Sequence, residues 1–159
     1  MKQTIWTPAF IAKSALIAAI YVAATGLLSG MGFGQVQIRI AEALYVLALY
    51  TLSAVPGLTV GCLIANLLWS PFGVLDVLLG TLATFLGVAG TYALREKGPV
   101  AALIPPVVFN ALLVPLVLMW CDGQGYWLSA LYIAISEAIS CYALGLPLQK
   151  VVARFAHKL

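Results

Sequence analysis

The chain has 159 residues, 64% of them hydrophobic and 8% charged, with a mean hydropathy of +1.08 and a formal net charge of +3. Soluble domains carry about a quarter charged residues, so this composition excludes one and predicts an all-α integral membrane protein. Three cysteines with no CxxC pair and a single histidine supply no metal-ligand pattern. The few basic residues speak for membrane orientation rather than nucleic acid.

A membrane-crossing helix takes about 20 apolar residues, so six of them would use about 120 and leave no room for a soluble domain. The first apolar run is long and interrupted by Lys13, unlike a cleavable leader, and is read as a span. It covers residues 9–28 and ends in the glycine-rich stretch from Ser29 to Gly34. A second run covers residues 40–55 and stops at Pro56-Gly57, a dipeptide that marks a turn or a kink. The third, residues 58–69, ends at Ser70-Pro71-Phe72-Gly73. Residues 74–94 lead to Arg95-Glu96-Lys97-Gly98-Pro99, a charged loop in water. Residues 100–120 form the fifth run, with Pro105-Pro106 expected to bend it early. The sixth, residues 126–149, continues into Lys150, Arg154 and Lys158. Together these make one transmembrane domain.

Two short spans within residues 40–69, rather than one, put Lys2, Lys13, Arg95, Lys97, Lys150, Arg154 and Lys158 on one face and leave only Arg39 on the other. The positive-inside rule therefore predicts six transmembrane helices with both termini cytoplasmic, in a cell membrane. On the outward side lies a rare island of polarity. Gln35, Gln37 and Arg39 fall on alternate residues, hence on one side of an extended segment, and Glu42 follows one helical turn later. This stretch reads as the rim of a binding site; the simpler alternative for Arg39 and Glu42 is an ion pair capping the second span.

The same topology puts Asn66, Trp69, Asp76 and Trp127 toward the outer side. Asn110 lies ten residues before Trp120, and Glu137 ten after Trp127, so both sit about 15 Å below that surface. A carboxylate there costs about 2.5 to 3.5 kcal/mol on insertion scales, which marks Glu137 as a binding residue facing protein or a wet cavity. The alternative is a helix-to-helix hydrogen bond with Asn110. Asp76 opens the fourth span, where a carboxylate also complements the helix dipole. Trp69 and Trp127 could stack on a flat ligand or belong, with Trp120 and Tyr126, to an aromatic belt. Ala15, Ala19 and Ala23 recur every four residues, and Gly80, Thr84, Gly87 and Thr91 form a second stripe of small residues. Both are faces for close helix approach, within the chain or, for the alanines, against another membrane protein.

No phosphate-binding loop, HExxH, GxSxG or histidine pair is present in the sequence, so neither an enzyme nor a self-powered pump is expected. A carrier working alone on a proton gradient stays open, since Glu137 could carry the proton. No internal repeat of the kind that supports alternating access is evident.

Taken whole, the pattern resembles the six-helix substrate-binding subunits, or S components, of energy-coupling factor transporters. Gln37-Ile38-Arg39-Ile40-Ala41-Glu42-Ala43-Leu44, Gly61-Cys62-Leu63-Ile64-Ala65-Asn66, Asp76 with Gly80-Thr81-Leu82-Ala83-Thr84, and Asn110-Ala111-Leu112 are similar to the queuosine-precursor member of that group. A serine is common there where this chain has Ala41. The resemblance implies an S-component bundle that needs no cofactor and binds a 7-deazaguanine such as queuine or its aminomethyl precursor; another flat vitamin is the alternative. It also implies partners, namely a membrane coupling protein and two cytoplasmic ATPases, with the Ala15, Ala19 and Ala23 face meeting the coupling protein. A guanine-like edge offers adjacent N–H donors to a carboxylate, and its carbonyl needs a donor such as Arg39. Glu137 is therefore expected on the base edge, oriented by Asn110 and Asn66, with Gln35, Gln37, Arg39 and Glu42 closing the pocket.

Overall fold

The computed structural model describes residues 7–29 and 39–156. Helix α1, Pro8–Leu27, opens with Thr7, whose hydroxyl accepts a hydrogen bond from the Phe10 amide at 3.2 Å, and with Pro8 in the first turn, where no amide hydrogen is needed. A 3₁₀ helix follows at Ile40–Leu49, then α2 at Ala54–Trp69 and α3 at Val74–Ala93. A 3₁₀ turn at Arg95–Lys97 leads to the short α4, Pro99–Ala102, and to α5, Ile104–Asp122. Helix α6, Tyr126–Ala138, passes through a π-helical turn, Ile139–Leu144, into α7, Gly145–Phe155. Among the described residues there is no strand.

Several prolines act at helix starts, whereas Pro115 lies inside α5. The break between the second and third apolar runs falls at residues 50–53, not at Pro56-Gly57. Pro56 instead occupies the first turn of α2, where a missing amide hydrogen costs no intrahelical bond. Likewise Pro105 and Pro106 stand in the first turn of α5, and the chain breaks just before them at Leu103.

Four helical stretches are long and apolar enough to cross a membrane: Pro8–Leu27, Val74–Ala93, Pro99–Asp122 and Tyr126–Phe155. Ile40–Leu49 and Ala54–Trp69 are shorter apolar helices. Large apolar side chains such as Leu16, Leu67, Val74, Leu78 and Leu131 point outward, whereas Glu42, Asn66, Asp76, Asn110 and Glu137 are buried. This inverts the soluble pattern and suits a multi-pass protein whose outer solvent is hydrocarbon.

The 3₁₀ helix occupies the middle. It packs against α1, α2, α3, α7 and the π-helical turn, and Ala41, Glu42, Ala43, Tyr45, Val46 and Ala48 are all buried. Around it the long helices meet through small residues. A Cβ added at Gly57 of α2 would lie 2.8 Å from the Ser14 carbonyl oxygen and 2.9 Å from Ile17 Cβ on α1, and one at Gly87 of α3 would lie 2.9 Å from Pro106 Cα on α5. The stripe Gly80, Thr84, Gly87 and Thr91 is buried along α3, so it serves packing within the chain.

Gly57→Ala should therefore destabilise the protein by about 1 to 3 kcal/mol, the usual cost of overpacking, measured by thermal unfolding in detergent. Gly125→Ala, at a site with nothing within 4 Å of an added Cβ but at the N-cap of α6, should cost no more than about 1 kcal/mol, through the lost cap preference alone.

Candidate functional site: a buried polar centre

A 3₁₀ helix has three residues per turn, so positions three apart lie one above another. Arg39 at its N-cap, then Glu42 and Tyr45, consequently form one column of polar side chains. All three are buried, Glu42 completely. In an α-helix the same residues would drift around the axis by about 60° per step.

The contacts to Glu42 that have a resolved geometry are at one oxygen, Oε1. The Tyr21 hydroxyl, from the buried face of α1, donates to Glu42 Oε1 at 2.7 Å, and Arg39 Nη1 approaches the same oxygen at 3.8 Å. The Tyr45 phenol also interacts with this carboxyl group. Yet Oε2 is buried, and among the described residues no donor stands in hydrogen-bonding geometry to it.

Tyr45 links this carboxyl group to the second one. Its hydroxyl accepts from Asn110 Nδ2 at 3.5 Å, and the same amide donates to Glu137 Oε1 at 3.2 Å and to the Pro106 carbonyl at 3.0 Å. Cys141, one turn after Glu137, donates to the same Oε1 at 3.7 Å. Space for the Tyr45 hydroxyl comes from Gly87, where a Cβ would lie 3.3 Å from it. The helix widens into its π-helical turn immediately after Glu137, a distortion that recurs at functional sites.

A third group joins α2 to α3. Asn66 Nδ2 donates to the Asp76 carbonyl at 3.2 Å, and the Ser70 hydroxyl donates to Asp76 Oδ2. Thr84 Oγ1 donates to Cys62 Sγ at 3.2 Å, beside Asn66. Arg39 interacts electrostatically with Asp76 and with Glu137 as well as with Glu42. One guanidinium thus lies in the electrostatic range of three carboxyl groups, from the 3₁₀ helix, α3 and α6, and approaches Glu42 at 3.8 Å.

Of the residues singled out by sequence, Arg39, Glu42, Asn66, Asp76, Asn110 and Glu137 are therefore brought together. Trp69 stands at their edge: it packs on the core, and its ring fills the space beside Gly26, where a Cβ would lie 2.7 Å away. Trp127 is not among them. It is 81% exposed and meets Tyr126 edge-to-face at 5.1 Å. Gln35 and Gln37 lie outside the described residues.

Tyr21, Tyr45, Cys62, Thr84 and Cys141 were missed by sequence reasoning. A signal existed for four of them. Tyr45 is three residues after Glu42, Cys62 four before Asn66, Thr84 eight after Asp76, and Cys141 four after Glu137, all same-face spacings from a residue already marked. Tyr21 had no such neighbour in sequence, because its partner comes from another element.

The alanines lie elsewhere. Ala15, Ala19 and Ala23 line, with Val60 and Ile64 of α2, an apolar groove of about 480 Å³ on the outside of the bundle.

A family model described as QueT transporter matches residues 11–154, nearly the whole chain. Neither a curated protein nor a solved structure matches it.

Proposed function

We infer that this chain, which belongs to the QueT transporter family, is the membrane-embedded substrate-binding subunit for uptake of a queuosine precursor, a 7-deazaguanine such as queuine or its aminomethyl form. The reading has six transmembrane helices with both termini cytoplasmic, the shorter Ile40–Leu49 and Ala54–Trp69 serving as the second and third. The observation that carries it is Glu42 Oε2, a buried carboxyl oxygen without a hydrogen-bond donor among the described residues. Such an atom costs about 1 to 3 kcal/mol or more when left unpaired, and an N–H donor from a ligand would remove that cost.

The chemistry of the centre supports a guanine-type base. Glu42 and Glu137 supply acceptors for its ring N–H and exocyclic amine, and Arg39 supplies a donor for its carbonyl. Asn110 orients Glu137, Asn66 holds the backbone at Asp76, and Gln35 and Gln37 are assigned to the rim. Asp76 adds negative charge that suits the cationic amine of an aminomethyl precursor. Trp69, at the edge of the centre, is assigned to stacking on a flat ligand, and Trp127 to the membrane interface.

Energy is supplied by a separate module, a membrane coupling protein with two cytoplasmic ATPases. The groove along Ala15, Ala19 and Ala23 supports this, because it is apolar and small side chains permit close helix approach. Helix α1 also buries the smallest share of its most apolar window, 17% against 33–39% for the other three candidate spans, leaving a broad face for a partner.

Glu42→Gln and Glu137→Gln should each weaken binding of 7-deazaguanine by about 10- to 100-fold, the loss expected for hydrogen bonds to a charged group. Titration calorimetry measures it, and thermal unfolding should show a much smaller change; parallel loss of both would assign these residues to folding alone. Liposomes holding only this chain should bind ligand without sustained uptake. Uptake driven by a pH gradient would overturn the coupled reading in favour of a carrier acting alone.

Ala19→Leu should abolish co-purification with a co-expressed coupling protein while leaving calorimetric ligand affinity within about twofold. Unchanged co-purification would remove the α1 groove from the interface.

A further inference from the structure

Tyr21 reaches the centre from a different element than the carboxyl group it holds. It is 2% exposed on α1, and its hydroxyl donates to Glu42 Oε1 at 2.7 Å across the junction with the 3₁₀ helix. Arg39 Nη1 approaches that same oxygen at 3.8 Å. Oε2, on the other arm of the carboxyl group, has no donor among the described residues.

The position of Tyr21 is itself constrained. Gly61 of α2 lies directly against it: a Cβ there would stand 2.8 Å from Tyr21 Cβ and 3.1 Å from the Ala18 carbonyl oxygen. Gly61 thus makes room for the base of the Tyr21 side chain at the α1–α2 contact, and from there its hydroxyl reaches Glu42 Oε1.

The terminal torsion of a glutamate is broad and nearly two-fold. An untethered Glu42 could turn either oxygen, or both, toward a bound molecule. The Tyr21 hydrogen bond at Oε1, beside the Arg39 and Tyr45 contacts to the same carboxyl group, restricts that freedom and leaves Oε2 as the acceptor that no described residue engages in hydrogen-bonding geometry.

We propose that Tyr21 is a positioning residue that sets ligand selectivity, by fixing Glu42 so that Oε2 is held for the exocyclic amine of a guanine-type ligand. The inference rests on the guanine-type reading above. The ring N–H is common to guanine and to the base that lacks the amine, so the amine is the donor that a single directed acceptor can use to tell them apart. A site built around such a bond rejects the analogue without the donor, because the acceptor is then buried unpaired. Tyr21 touches no ligand in this scheme; it acts through Glu42.

The test measures affinities of 7-deazaguanine and 7-deazahypoxanthine, which lacks the exocyclic amine, by calorimetry on the purified full chain. The wild type should prefer 7-deazaguanine by roughly 100-fold or more, as expected for a buried acceptor that needs its donor. Tyr21→Phe keeps the ring and loses the hydroxyl; it should weaken 7-deazaguanine by about tenfold and 7-deazahypoxanthine by less than about twofold. In a Glu42→Gln background the same change should have almost no further effect, because the two side chains act as one unit. Gly61→Ala, which displaces Tyr21 but keeps its hydroxyl, should compress the selectivity ratio in the same direction. Equal weakening of both ligands by Tyr21→Phe, an additive loss in the Glu42→Gln background, or an unchanged ratio in Gly61→Ala would each overturn the inference. A wild-type protein that binds neither compound would instead overturn the guanine-type reading, and this inference with it.

Discussion

The arrangement depends on how the carboxyl group of Glu42 is accommodated in an apolar interior. A buried carboxyl group without partners is costly even near the end of a span, and each hydrogen bond to a charged group returns about 1.5 to 3 kcal/mol. Tyr21 supplies one such bond and Arg39 a longer electrostatic contact, both at Oε1. Those contacts, with the Tyr45 phenol beside the same carboxyl group, offset part of the cost, while among the described residues no donor stands in hydrogen-bonding geometry to Oε2. An apolar side chain of similar size would avoid the penalty, and substitutions of that kind at buried ion pairs are often neutral or stabilising. Packing alone therefore does not explain the residue, and the proposed function supplies the missing donor from a ligand.

That accommodation is made possible by an unusual backbone. A ten-residue 3₁₀ helix is long for its kind, because its hydrogen-bond geometry is poorer than that of an α-helix. In exchange it stacks Arg39, Glu42 and Tyr45 and carries them, at about 2 Å per residue, into the middle of the bundle. The neighbours complete the centre: α1 brings Tyr21, α3 brings Asp76 and Thr84, α5 brings Asn110, and α6 brings Glu137 just before its π-helical turn. Close contacts at Gly57, Gly61 and Gly87 hold these elements near enough for the polar groups to meet.

Much of this was legible in the sequence, for a physical reason. In a chain with so little polarity, each buried polar residue stands out, and that rarity alone marks Arg39, Glu42, Asn66, Asp76, Asn110 and Glu137. The depth argument for Asn110 and Glu137 needed only the helical rise, and their side chains meet at 3.2 Å. Local backbone geometry was less accessible. The second apolar run gives no sign that it is 3₁₀ rather than α, because tertiary packing overrides weak intrinsic preferences. The break expected at Pro56-Gly57 moved to residues 50–53, since a proline in the first turn of a helix starts it without strain. Trp127 is open in sequence to stacking on a ligand or to the aromatic belt, and its direction around α6 leaves it 81% exposed. Tyr21 could not be found at all, because only tertiary structure joins it to a residue 21 positions away.

The central claim is that the polar centre exists to hold a ligand, and native mass spectrometry tests it most directly. The detergent-purified chain is incubated with 7-deazaguanine beside a Glu42→Leu, Glu137→Leu variant that has been shown to unfold cooperatively. The account predicts one ligand mass per wild-type chain and none on the variant. An absence of the adduct on the wild type, or equal adduct on both proteins, would contradict it.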